Sequence, residues 1–191
     1  MRRLGLYGGS FDPVHLGHLL VSQAAHEELE LEKIFFIPAA QSPFKPDRTL
    51  APAEVRTKML RLALAGRPEC EIDTQELERG GISYSIDTIL DFRGRFPQAQ
   101  LFYLIGADHV SELPRWRDAA QLARIVTFVV IPRPSQTNEA TPAGFNFVYL
   151  KGFPLGLSSS QIRDRVRSGL PLHHLVGPAV AEVILHNRLY L

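Results

Sequence analysis

Residues 4–20 read LGLYGGSFDPVHLGHLL, an apolar run that stops at two glycines and reopens, past Asp12 and Pro13, into a stretch with helical spacing. Residues 3 to 8 carry the pattern of a short buried strand. Gly8, Gly9 and Ser10 follow as a turn, and Asp12 with Pro13 reads as a helix start, a capping residue and then proline at the first position. Strand, turn and helix in this order make one unit of a doubly wound sheet. In such sheets ligands sit beyond the carboxyl ends of the strands, and a helix N-terminus offers unpaired N–H groups to an anion. Phosphate is the guest that this unit suits.

Working outward, similar apolar or β-branched runs recur near residues 34, 101, 125 and 145, with a weaker one, CEIDTQ, from Cys70. Between and after them lie segments of helical spacing over 16–29, 53–65, 85–96, 116–124, 159–166 and 178–189. Strands alternating with helices of this length predict an α/β class: a doubly wound, mostly parallel, Rossmann-like sheet with helices on both faces. A length of 191 residues predicts a single domain, 1–191. Two connections, 41–52 and 132–145, exceed ordinary length and read as candidates for motion.

Hydrophobic residues at 45% and charged residues at 21% are ordinary for a globular chain and argue against disorder. A net charge of +1 predicts neither nucleic-acid nor membrane partners. Cys70 is the only cysteine, so an intrachain disulfide and a cysteine-based zinc site are excluded and a reducing compartment is the natural setting. The first apolar run is too short for a signal peptide and nothing later approaches a membrane span, so the expected location is cytoplasmic. A homo-oligomer is neither indicated nor excluded.

His15 and His18 fall about one turn apart on one helix face, with Gly17 between them. Seen alone, either histidine reads as a packed or solvent-facing residue. Glycine inside a helix costs roughly 1 kcal/mol relative to alanine, so its presence suggests that something approaches the backbone closely. Zinc fits poorly, since no third ligand stands on the same face, and no metal site is expected. Neither a phosphate-cradling loop with lysine nor the glycine-rich dinucleotide fingerprint is present.

GGSFDPVHLGH nevertheless resembles the signature of the HxGH nucleotidyltransferase superfamily, and its GGSFDPVH form resembles the nicotinate-nucleotide adenylyltransferases within it. Far along the chain, LSSSQIR, residues 157–163, is similar to that family's second motif, ISSTxIR. IGAD at 105–108, Trp116 and PRPS at 132–135 match its remaining segments in order and spacing, so the resemblance covers nearly the whole chain.

The resemblance implies transfer of the adenylyl group of ATP to nicotinate mononucleotide, with magnesium carried on the ATP. His15, His18 and Arg163 would be catalytic. Gly8, Gly9, Ser10, Phe11, Gly17, Gly106, Asp108, Arg133, Ser158, Ser159 and Ser160 would bind ATP. Lys45, Ser85, Trp116 and Arg117 would bind the acceptor. On physical grounds alone, Ser158 or Ser159 caps a helix and Arg163 lies a turn further on, where its fork reaches phosphate oxygens. Asp108 reads either as a ribose acceptor or as a plain helix cap. The chain departs from the family at Ala39, Ala40 and Phe44, where many members carry an asparagine and a PPHK loop, so acceptor contacts from those positions are in question. Adenylylation of nicotinamide mononucleotide or phosphopantetheine is the alternative reaction, and a nucleotide-binding regulatory module is the alternative without turnover.

Overall fold

The computed structural model describes residues 1–44, 48–131, 141–153 and 155–191. Six strands, β1 (Arg3–Gly9), β2 (Lys33–Pro38), β3 (Cys70–Ile72), β4 (Gln100–Gly106), β5 (Thr127–Ile131) and β6 (Asn146–Tyr149), form one sheet. Their order is β3-β2-β1-β4-β5-β6, and each neighbouring pair is parallel. The helices are α1 (Leu16–Leu29), α2 (Ala53–Ala63), α3 (Gln75–Arg79), α4 (Ser85–Arg95), α5 (Ala119–Ile125), α6 (Ser159–Arg167), α7 (His173–Val176) and α8 (Pro178–His186). The sheet grows outward from β1 in both directions, so the order reverses between β1 and β4. That switch point opens a crevice at the carboxyl ends of these two strands.

The four inner strands are apolar on both faces because both are covered, whereas the edge strands β3 and β6 are only partly buried. Even-numbered side chains Leu4 and Leu6 of β1 and Phe128 and Val130 of β5 join one core, with odd-numbered Leu101, Tyr103 and Ile105 of β4 on the same face. That face is closed by Ile86, Ile89 and Phe92 of α4 and by Leu122 of α5. The alternate residues, among them Tyr7, Phe36, Phe102, Leu104 and Val129, form a second core beneath α1, α2, α6 and α8. Phe36, Phe92 and Phe128 are wholly buried, and each such side chain stabilises the fold by about 1.5–3 kcal/mol over leaving it exposed.

The helix behind the first strand keeps the start its spacing indicates, but not the cap assigned to it at Asp12. α1 begins at Leu16 with His15 in the extended N-cap position, and Asp12 caps nothing. The Asp12 carboxylate is already engaged: it accepts from Arg48 Nη2 at 2.9 Å, from the Ala51 N–H at 3.2 Å and from the Tyr190 hydroxyl at 2.7 Å. Trp116 likewise lies ahead of α5, at the end of a 3₁₀ turn (Leu113–Arg115), because Asp118 adopts a left-handed backbone (φ 53°) that delays the helix. Helices α3 and α7, five and four residues long, have no counterpart in the sequence reading.

Candidate active site

β1 ends at Gly9 beside β4, and close packing there requires glycine. A Cβ on Gly8 would lie 2.7 Å from the Tyr103 hydroxyl, and one on Gly9 3.3 Å from the Phe11 ring. Phe11 has a positive φ of 45° and turns its ring into the core, 5.0 Å from the His18 ring and 5.5 Å from Phe36. Its backbone, with that of Ser10, stays in the loop. The His15 and His18 rings lie 3.8 Å apart, centroid to centroid, tilted by 31°. The backbone N–H of His15 donates to His18 Nδ1 at 3.1 Å, so a neutral His18 carries its proton on Nε2. Burial, then the neighbouring His15, holds His18 well below the ordinary imidazole range, and burial pushes His15 down to about 4. Two neutral imidazoles stacked at a helix start are donors, not a cationic pair. The His15 Nδ1 is buried with no partner among the described residues, a condition that costs about 1–3 kcal/mol. The group that comes close to Gly17 is this same ring, since a Cβ there would meet His15 Cε1 and Nδ1 at 3.0 Å.

The second motif meets the first across some 150 residues. Ser158 is the N-cap of α6: its Oγ accepts from the Gln161 N–H at 3.3 Å, while Gln161 Oε1 accepts from the Ser158 N–H at 2.8 Å. This reciprocal cap fixes the helix start and leaves further first-turn N–H groups without helical partners. Ser159 Oγ donates to the Pro13 carbonyl at 2.9 Å, and Arg163 Nη1 donates to the Asp12 carbonyl at 2.8 Å. Arg163 Nη2 bonds Ser160 Oγ at 2.9 Å, which aims the fork at the space beside the β1–α1 loop. Burial and the nearby Arg48 charge lower the Arg163 guanidinium, which stays charged.

Gly106 closes β4, and Asp108 stands exposed in the 3₁₀ turn (Ala107–His109) that follows it, across the switch point from α1. Ser85, Trp116 and Arg117, separated in sequence, line one cleft of about 80 Å³ together with Phe44, Tyr84 and Arg115. Among the described residues its wall contains no acidic side chain. Ser85 Oγ and the Tyr103 hydroxyl are 2.9 Å apart, the Phe44 ring lies 5.7 Å from Trp116, and the Arg117 guanidinium lies 4.7 Å over Tyr84. Lys45, Arg133 and the middles of both long connections lie outside the described residues. A roomier groove of about 1070 Å³ opens at the opposite end, by the first residues of β4, β5 and β6. Size does not mark the site here; the convergence of both motifs does. Among the described residues no three His, Cys, Asp or Glu side chains gather to hold a metal, and no helix is long and apolar enough to cross a membrane.

The family described as cytidylyltransferase-like matches residues 6–165. The chain belongs to the cytidylyltransferase-like family. Among its relatives, the probable nicotinate-nucleotide adenylyltransferase of Gemmatimonas aurantiaca is 41% identical over 195 residues, covering 98% of this chain and 92% of its own. The one of Opitutus terrae is 38% identical over 190 residues, covering 98% and 97%. In fold, the chain is similar to Plasmodium falciparum nicotinic acid mononucleotide adenylyltransferase complexed with NaAD, with a TM-score of 0.79 at 16% identity over 100% of this chain and 98% of that one.

Three polar residues of this cytidylyltransferase-like chain organise the crevice without having been singled out in its sequence. Arg56, 2% exposed, donates to the Ser10 carbonyl at 2.8 Å, the Ala39 carbonyl at 2.9 Å and the Ala51 carbonyl at 3.0 Å, tying the β1–α1 loop to the end of β2. A signal existed: Arg56 falls on the same helical stripe as Met59 and Leu60, where a charge needs buried partners. Arg48 and Tyr190 gave none, since both act on Asp12 from distant, irregular segments.

Proposed function

We propose that the protein transfers the adenylyl group of ATP to nicotinate mononucleotide, releasing pyrophosphate and forming nicotinate adenine dinucleotide. The observation that carries this reading is the junction of the two motifs. The histidine pair at the start of α1 and the capped start of α6 with Arg163 converge at the switch point, where a polyphosphate meets donors from two helices. The 36–41% identities of full-length relatives named for this reaction support it.

In the reaction an oxygen of the acceptor phosphate attacks the α-phosphorus of ATP in line, a P–O bond forms, and the bond to the β-phosphate oxygen breaks. Such chemistry needs positioning and charge stabilisation more than a protein nucleophile. The His18 Nε2–H donates to the α-phosphate as negative charge gathers on it, with His15 beside it. Arg163, Ser158, Ser159, Ser160 and the first N–H groups of α6 take the β- and γ-phosphates of the leaving pyrophosphate. The backbone of Gly8, Gly9, Ser10 and Phe11 borders the phosphates, while Gly106, Asp108 and Arg133 serve the adenosine and Gly17 leaves room for the His15 ring. Ser85, Trp116 and Arg117 receive the pyridine ring and its carboxylate, and Lys45 the acceptor phosphate. The described donor set does not fit a protein-held metal cage, so magnesium belongs to this proposal only as part of the ATP substrate. A cytoplasmic setting belongs to it as well, in keeping with a lone cysteine, Cys70, that can form no intrachain disulfide.

The test is to mix the protein with ATP, magnesium and each candidate acceptor, and to measure pyrophosphate and dinucleotide. Equal release with nicotinate mononucleotide and no acceptor at all refutes the reading, and preference for phosphopantetheine or nicotinamide mononucleotide replaces it.

A further inference from the structure

Tyr190, the next-to-last residue, belongs to neither motif, yet its hydroxyl donates to Asp12 Oδ1 at 2.7 Å across 178 positions. α8 ends at His186, and both Arg188 (φ 48°) and Tyr190 (φ 65°) take a left-handed backbone on the way to this contact. Burial and the adjacent Asp12 charge raise the phenol well above its ordinary range, so it remains the donor. Asp12 itself is 1% exposed. Its Oδ2 is taken by Arg48 at 2.9 Å, and Oδ1 has the Ala51 N–H at 3.2 Å as its other donor. The carbonyl of the same Asp12 receives Arg163 Nη1 at 2.8 Å. One residue thus joins the C-terminal hydroxyl on its side chain to the motif arginine on its backbone.

We propose that Tyr190 is a positioning residue for the phosphate clamp, holding Asp12 so that its carbonyl fixes the Arg163 guanidinium where the β- and γ-phosphates of ATP arrive. This rests on the functional reading above. Without the hydroxyl, Oδ1 keeps only the longer amide bond, Asp12 gains freedom to turn, and Arg163 loses a fixed acceptor. The Tyr190 ring packs against the core beneath α8, so Tyr190→Phe preserves that packing and removes only the donor.

The test is calorimetric titration with magnesium–ATP of the wild type, Tyr190→Phe, Arg163→Ala and the double variant, with steady-state kinetics alongside. Tyr190→Phe is expected to weaken ATP binding by roughly tenfold, the scale of one charge-assisted hydrogen bond. KM for nicotinate mononucleotide stays within about twofold, the scatter expected of a site that is not coupled. In the Arg163→Ala background the same substitution has no further effect on ATP affinity. A merely structural contribution lowers the melting temperature without this coupling. Wild-type ATP affinity in Tyr190→Phe, or an equal loss with and without Arg163, overturns the proposal. Binding is measured apart from turnover, so a wild type that binds ATP but releases no pyrophosphate refutes the functional reading alone.

Discussion

At the scale of single residues, the histidine pair is organised for donation rather than for charge. Its ring contact, its burial and the His15 N–H bond to His18 Nδ1 all disfavour a proton on Nδ1 of His18 and leave Nε2–H as the usable donor. If that donor acts on charge that develops only in the transition state, His18→Ala lowers kcat by about 10² or more while ATP affinity changes less. Steady-state kinetics decides it, and near-normal kcat in the variant removes His18 from the chemistry. The same burial has a consequence for stability. His15 titrates at about 4 in the folded chain against an ordinary value of 6.5, so between these values the unfolded chain holds more protons than the folded one. Stability contributed by the neutral ring is therefore fully present above pH ~6.5 and is lost as pH falls toward ~4, by about 3 kcal/mol for this group at the lower end. Urea midpoints measured across that window should fall less steeply for His15→Gln than for the wild type.

At the scale of elements, the α1 start shows a glycine kept for a ring. Alanine at position 17 gains up to about 1 kcal/mol of helix propensity, but its methyl would stand 3.0 Å from His15 Cε1 and Nδ1. Gly17→Ala is thus expected to keep or raise the melting temperature while lowering kcat by about tenfold or more, since small displacements of reacting groups are costly. Thermal melts with parallel kinetics test this, and unchanged kcat would show that the His15 ring yields without loss. The elements that sequence made legible are those with a long apolar stripe: α1 and α4 begin at the residues their spacing indicates, Leu16 and Ser85, and every strand lies on the run that marks it. What escaped is local and short. α3 and α7 span too few turns for a period to register. The α1 cap went to Asp12 on propensity, and tertiary partners at Arg48, Ala51 and Tyr190 took that carboxylate elsewhere.

At the scale of the whole molecule, the strand order places β4 beside β1, and this brings the two motifs to the same end of the sheet as the cleft proposed for the acceptor, whose residues are scattered from Phe44 to Arg117. The residues proposed for the phosphates sit in two dense motifs, which sequence alone can mark. On the acceptor side Ser85, Trp116 and Arg117 could be marked only through family resemblance, and the shape of their cleft comes from long-range packing that no local pattern encodes. That cleft bears on which pyridine is accepted. Nicotinate carries a carboxylate where nicotinamide carries an amide, so a selective site offers donors and no acceptor that repels charge. Arg115 and Arg117 line the cleft, each held from outside it by an acidic neighbour, Glu112 and Asp87; among the described residues no acidic side chain lines it, and the Trp116 Nε1–H in its wall is buried without a partner. Phe44, where the family's loop often has histidine, adds an aromatic face 5.7 Å from Trp116 and takes no part in reading the carboxylate. The donors suffice without it, because a buried carboxylate is costly unless donors meet it, and an amide leaves such donors imperfectly matched. kcat/KM for nicotinate mononucleotide should therefore exceed that for nicotinamide mononucleotide by at least about 10². Both are measured with the same ATP and magnesium in a pyrophosphate-release assay. Ser85→Ala and Arg117→Ala should narrow the ratio by raising KM for the nicotinate form, while ATP affinity stays unchanged. Comparable efficiencies in the wild type would mean that the cleft reads the ring and the ribose phosphate but not the carboxylate.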